Sequence, residues 1–321
     1  MAKLSKIIIF ATFLIYVFCS LIRAGSLQKV TRGNFIFIYP KGDSLLVEYL
    51  LKETDKPLHR VESFFYESLT TPVTILIVKS DRAFRAYFQN KIPEWSQAIA
   101  IPRERMIVLK LSNADQIRKG PQILVHEVVH ILVYDHLKGA GIPTWLNEGL
   151  AEYFSEGDLS LQKKILLADA IVSNKTIDLM AMDTLFRFST AKARLAYIEA
   201  QSAVAFMVEK YGLPKLKQFL DYLARRKILD DAFKLTYHFD FLDFEIQWNE
   251  YIYKHYRYLV LLRFEEWIFA FIALLFLIAV LVVYLRNKKK LKKMQDEEDS
   301  SDFFEYPGWD ESNSDESNEF R

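Results

Sequence analysis

The chain has 321 residues, enough for one good-sized domain or two small ones, and a formal net charge of +1, which gives it no overall pull on nucleic acid. Its hydrophobic content of 51% sits at the upper edge for a soluble protein. Its single cysteine, Cys19, excludes a disulfide framework, so the body must be held by an ordinary core.

Two apolar runs account for much of that excess. The first, "KIIIFATFLIYVFCSLI" at residues 6–22, follows Lys3 and carries no charge after Lys6. A short basic start and an apolar core are the layout of a signal peptide, with a cleavage point expected after Ala24. Ile22 at the third position before that point fits a small-x-small site poorly, which leaves residues 1–24 as either a signal peptide or an uncleaved N-terminal anchor.

Next comes "NFIFIYP", an alternating β-rich stretch read as a strand, and then residues 43–69, which have helical spacing with Asp43 as N-cap. "PVTILIV" reads as a buried strand, "RAFRAYFQ" as a short helix, and "IPEWSQAIAIP" as irregular chain before a third strand, "RMIVLKL". That last strand is expected to be an edge on which a bound peptide adds a strand, or else an ordinary internal strand. "GPQILVHEVVHILVYDHLKGAG" follows as a helix started by Gly120-Pro121 and stopped by Gly139 and Gly141, and "PTWLNEGLAEYFSEG" as a second helix over about 144–155.

Strand signals then fade. "LSLQKKILLADAIVS", "KARLAYIEAQSAVAFMVEKYG", "LPKLKQFLDYLARRK", "LDDAFKLTY" and "DFEIQWNEYIYKHY" all have helical spacing. The fold class is therefore α+β. A small mixed sheet with helices (25–157) precedes a helical half (158–262), together forming the body at 25–262. Asn174 begins a formal glycosylation triplet of a kind expected by chance.

The second apolar run, "WIFAFIALLFLIAVLVVYL" at residues 267–285, is long enough to cross a bilayer, and Trp267 and Tyr284 sit where amphipathic rings favour the headgroup layer. We read 264–285 as a transmembrane helix. "RNKKKLKK" directly after it marks the cytoplasmic side, which places the body outside the cytoplasm, in the periplasm or at the cell surface. Residues 286–321, basic and then acidic and serine-rich, are expected to form a disordered cytoplasmic tail. "FFEYPGW" within it is a short docking motif for a cytoplasmic protein or, more blandly, part of a solvated tail.

Two of the chain's six histidines, His126 and His130, lie four apart on one helix. Their imidazoles project from one face and supply two corners of a tetrahedral zinc site. Glu148 on the following helix is the obvious third ligand, since the "KGAGIP" hairpin lets the two helices fold back on each other. Glu152, one turn later, can accept the other ring N–H of His126. The bland alternative is two satisfied histidines on one helix and two surface glutamates on the next. His59, His136, His238 and His255 lack partner spacing and read as structural or exposed.

"HEVVH" followed by "WLNEGLAEY" resembles the gluzincin clan of zinc metallopeptidases, which includes thermolysin and the alanyl aminopeptidases, and is most similar to the bacterial peptidase MA-like family. "IPEWSQAIAIPRERMIVLKL", "AYIEAQSAVAFMVEKYG" and "DDAFKLTYHFDFLDFEIQWNEYI" extend the similarity over most of the body. The resemblance implies a zincin-like fold, one Zn2+ held by His126, His130 and Glu148, and Glu127 as general base in hydrolysis of a peptide or protein substrate. Tyr197 resembles in position the clan's oxyanion-stabilising tyrosine, with Tyr153 and Tyr211 as rivals and a packed helix-bundle tyrosine as the plain alternative. The gap from His130 to Glu148 is one residue shorter than in the aminopeptidases and no GAMEN-type segment is present, so the expectation is an endopeptidase. The competing class is a catalytically silent membrane adaptor whose outward domain binds a protein partner.

Overall fold

The computed structural model describes residues 27–65, 69, 71–89, 91–262 and 264–301, so the expected signal peptide or anchor and Cys19 lie outside the described residues. The chain divides into two units after Leu262.

The first unit opens with a hairpin that sequence alone half conceals. β2 (Phe35–Pro40) pairs antiparallel with β1 (Leu27–Arg32) across Gly33, whose φ of +55° suits the tight turn. β1 escapes a hydrophobic reading because it covers an outer edge and buries no residue fully. α1 (Ser44–Phe65) crosses over to β3 (Val73–Val78), which lies parallel to β2. α2 (Asp81–Tyr87) and β4 (Ala98–Ile101) precede β5 (Met106–Lys110), which is parallel to β3 and antiparallel to β4. The strand order is β1-β2-β3-β5-β4.

Of the two readings of "RMIVLKL", the internal strand holds, all five residues of β5 being buried, and the edge beside it is β4, in the stretch expected to be irregular. β4 is short, and its residues Ala98, Ile99, Ala100 and Ile101 are each half-buried, so no alternation marks it.

Period-two alternation sends Phe37, Ile75, Ile77, Ile107 and Leu109 into the main core, and Ile38, Leu76, Met106 and Val108 to a smaller cluster with Phe84 of α2. Across the main face lies α3 (Ala114–His136). It begins seven residues before the expected Pro121, because the Asn113 side chain accepts the Gln116 N–H at 2.9 Å and caps the first turn. Pro121 is accommodated inside the helix.

α4 (Thr144–Glu156) returns against α3, and α5 (Leu161–Val172), α6 (Thr190–Tyr211), α7 (Leu213–Arg226), α8 (Leu229–Tyr237) and α9 (Phe241–Tyr256) complete the helical half. Residues from both halves form one continuous core. α9 supports α4 directly: Trp145 stacks on Phe244 at 5.6 Å, and Trp248 Nε1 donates to Ser202 Oγ of α6 at 3.0 Å.

The second unit is α10 (Phe264–Ser301), a helix long and apolar enough to cross a membrane. The large apolar side chains from Ile268 to Leu285 are exposed. The helix does not stop at Leu285. Residues 286–301, expected to be disordered, remain helical, because Lys, Leu, Gln and Glu are strong helix formers and Lys293 pairs with Glu297 one turn on, at 3.7 Å. Residues 302–321 lie outside the described residues.

Candidate metal centre

The site forms where α3 crosses α4. His126 and His130 project from one face of α3 with ring centroids 4.8 Å apart. Glu148 Oε2 lies 3.5 Å from His126 Nε2 and 3.6 Å from His130 Nε2. One donor atom from each residue falls within 4.8 Å of the others.

These separations discriminate between a salt bridge and a ligand set. A charge-assisted hydrogen bond would close to about 2.7–2.9 Å. Ligand atoms about 2.0–2.1 Å from a tetrahedral zinc stand about 3.3–3.4 Å apart. The observed spacing matches the second. Glu148 Oε2 is buried with no hydrogen-bond partner among the described residues, an uncompensated cost that a cation would remove. His126 reports the same deficit of positive charge. Burial opposes its protonation, but Glu148, Glu152 and Glu127 outweigh that and lift its pKa to about 9. The three residues therefore fit a single divalent metal.

α4 comes close enough to α6 because of Gly149, a residue the sequence pattern did not single out. A Cβ there would collide with the Ala200 carbonyl oxygen and sit 2.8 Å from Val204 Cγ2. The available signal was the run of small residues on α6, where Ala193, Ala196, Ala200 and Ala203 are all buried.

Glu152 Oε1 lies 3.5 Å from His126 Nδ1. Its other oxygen takes Lys163 Nζ of α5 at 2.7 Å. Glu127 is buried beside the two histidines and accepts the Ala100 N–H of edge strand β4 at 2.5 Å. Burial raises its pKa, while the charges of His130 and His126 pull the other way. Glu148 has the opposite balance: burial is overcome by His130 and His126, and its pKa falls.

The cleft, about 430 Å³, is lined by Ala98 and Ala100 of β4, by Ile123, His126, Glu127 and His130 of α3, and by Glu148, Trp95 and Tyr197. Of the three tyrosines weighed from sequence, Tyr197 is the one in this cleft. Tyr153 lines a separate cavity with Phe64 and Leu213, and the Tyr211 hydroxyl donates to Gln247 at 3.2 Å. Trp95 packs edge-on against Tyr197 at 5.8 Å. Burial, and then the charges of Glu148, Glu127 and Glu152, push the Tyr197 phenol far above its ordinary pKa, so it stays a proton donor.

The remaining histidines serve elsewhere. His136 Nε2 meets Asp221 at 3.0 Å, His255 Nδ1 meets the Tyr251 carbonyl at 2.8 Å, and exposed His59 lies between Asp55 and Glu62. His238 ends α8 in the left-handed conformation.

With this geometry in place, comparison with known families is decisive for the body of the chain. The model of the peptidase MA superfamily matches residues 56–254, which is more than half of the protein. The chain belongs to the peptidase MA superfamily. The matched segment holds β3–β5, α3, α4 and most of the helical half, and so contains every residue of the metal centre. No curated protein matches the chain.

Proposed function

We propose that this peptidase MA protein is a membrane-anchored zinc endopeptidase in which His126, His130 and Glu148 hold one metal ion and Glu127 is the general base. The observation that carries the reading is the convergence of three donor atoms within 4.8 Å of one another, with the buried Glu148 oxygen 3.5 and 3.6 Å from the two imidazoles and without a hydrogen bond among the described residues. When bound, zinc would act as a Lewis acid on the scissile carbonyl and bring the pKa of water toward neutrality.

The chain's own residues supply the rest. Glu127 takes the proton of the attacking water and passes it to the leaving amine, and burial, by raising its pKa, makes the carboxylate a stronger base for that exchange. The Ala100 N–H fixes the orientation of that carboxylate. Tyr197 donates a hydrogen bond to the developing oxyanion. Glu152, with Oε1 3.5 Å from His126 Nδ1, favours by its charge the tautomer that carries the proton on Nδ1 and leaves Nε2 free for the metal. β4 is an edge strand beside these groups, so an extended peptide can add to it through main-chain hydrogen bonds.

The basic residues after the apolar part of α10 favour a cytoplasmic C-terminus, with the catalytic unit on the opposite side of the membrane. Residues 286–321 are left to contact a cytoplasmic partner.

Purified full-length protein in detergent should hold one zinc per chain and cleave peptides in a chelator-reversible way. Glu127→Gln should keep the metal and lose about 10²–10⁴-fold in kcat. Full activity in zinc-loaded Glu127→Gln would remove Glu127 from the chemistry, whereas a biological role that survives with hydrolysis abolished would favour the adaptor.

A further inference from the structure

A second cavity of about 250 Å³ opens off the cleft, sharing Trp95, Glu152, Glu156 and Tyr197 with it and adding Lys163, Ala193 and Arg194. Its size suits a side chain or a chain end. Four charged groups line it, and three of them are spent on one another. Lys163 Nζ has three donors, and they reach Glu152 Oε2 at 2.7 Å, Glu156 Oε2 at 2.5 Å and Gln201 Oε1 at 2.8 Å. Glu152 turns its other oxygen to His126, and Glu156 accepts from Gln122 Nε2 with its own. Each of the four carboxylate oxygens thus already faces a neighbour within the protein.

Arg194 is different. It lies one helical turn before Tyr197 on α6, is exposed, and has no carboxylate partner among the described residues. The cavity thus offers an incoming group one uncommitted charge, a guanidinium whose fork matches a carboxylate. Apolar Ala193, Ile198 and Trp95 line the space around it.

We propose that Arg194 makes this side cavity a substrate subsite for a carboxylate of the bound peptide, either an Asp or Glu side chain at a fixed position from the scissile bond or the peptide's own C-terminus. The proposal rests on the peptidase reading and specifies the substrate class for it.

The test uses zinc-loaded full-length protein in detergent and end-blocked peptides that differ only by Glu, Gln or Lys at one scanned position. A second pair of neutral peptides differs only in a free or amidated C-terminus. At one position, or at the free C-terminus, kcat/KM for the carboxylate should exceed that for its neutral match on the order of tenfold. Which peptide set shows the preference identifies the source of the carboxylate. Arg194→Glu should reverse the Glu-to-Lys ratio at the same position, and high salt should weaken the preference. Cleavage with no charge preference, or with a preference unchanged in Arg194→Glu, overturns the subsite.

Binding of the same peptides to Glu127→Gln, with and without Arg194→Glu, separates the two claims. Carboxylate-selective, Arg194-dependent binding without cleavage by the wild-type protein would keep the subsite and sink the peptidase. Absence of both binding and cleavage would sink both.

Discussion

Helix α3 carries two polar clusters built from the same kinds of residue. At its C-terminal end His136 Nε2 lies 3.0 Å from Asp221, which also takes Lys217 at 3.2 Å, and Arg105 closes on Asp135 at 2.6 Å. Those charges are neutralised by direct contact. Two to three turns earlier, His126 and His130 face a carboxylate that stands off at 3.5 and 3.6 Å, buried and with no hydrogen bond to Oε2 among the described residues. The first cluster is closed up, each charge in direct contact with an opposite one. The second is held apart, with three carboxylates, Glu127, Glu148 and Glu152, gathered around the two rings in a group that could hold a metal ion. Spacing, rather than residue type, separates the paired His136 from the two candidate ligands.

The sharpest way to break this comparison is to remove one member of each cluster. Glu148→Gln should lower zinc affinity by at least a hundredfold in a competition titration with a chromophoric chelator, because a neutral amide is a poor zinc ligand. His136→Asn should leave zinc stoichiometry unchanged and cost about 1–2 kcal/mol of unfolding free energy. Equal losses of zinc in the two variants would erase the distinction.

The next largest effect concerns what brings the second cluster together. Gly149→Ala forces a Cβ into the Ala200 carbonyl, so α4 must move off α6. It should destabilise the protein by about 2–3 kcal/mol in denaturant unfolding and weaken zinc binding, although the substitution touches no ligand. An unchanged midpoint would show that the two helices separate freely.

The smallest effect sharpens the comparison with a third buried group, far from either cluster in role. Glu199 is fully buried and accepts the Ile177 N–H at 3.2 and 3.1 Å through its two oxygens. Burial lifts its pKa from 4.5 to about 8. Below pH 4.5 the group is protonated in both folded and unfolded chains. Between those values the unfolded chain ionises first, so stability falls as pH rises from about 4.5 to about 8. Glu199→Gln should remove that slope and raise stability at pH 8, relative to wild type, by roughly 1–3 kcal/mol, read from melting curves at pH 5 and pH 8.

The sequence was most readable where a period was strong. α3 and α4 carry long apolar periods, so the positions of His126 and His130, and of Glu148 and Glu152, on shared faces followed from a spacing of four. The helical half was equally clear for the same reason. β4 was not, since four half-buried residues give neither alternation nor a long apolar run, and its standing as an edge depends on which strand pairs with β5. The start of α3 was misplaced because Pro121 is a common first-turn residue, whereas the Asn113 cap that sets the boundary is a single side-chain hydrogen bond. Arg194 carried no signal at all; its isolation is visible only after Lys163 is seen to be spent on Glu152, Glu156 and Gln201.

By itself, then, the sequence determined that a helix pair carrying candidate metal ligands exists, that a helical half follows it, and that an apolar segment of spanning length comes after that half. These are local properties, written in residue type and periodicity. The tertiary structure alone decided that β4 forms the rim of the cleft, that Tyr197 rather than Tyr153 or Tyr211 enters it, and that Gly149 lets α6 approach. Each of those depends on contacts between residues distant in the chain, and no local pattern encodes the distance at which two packed helices come to rest.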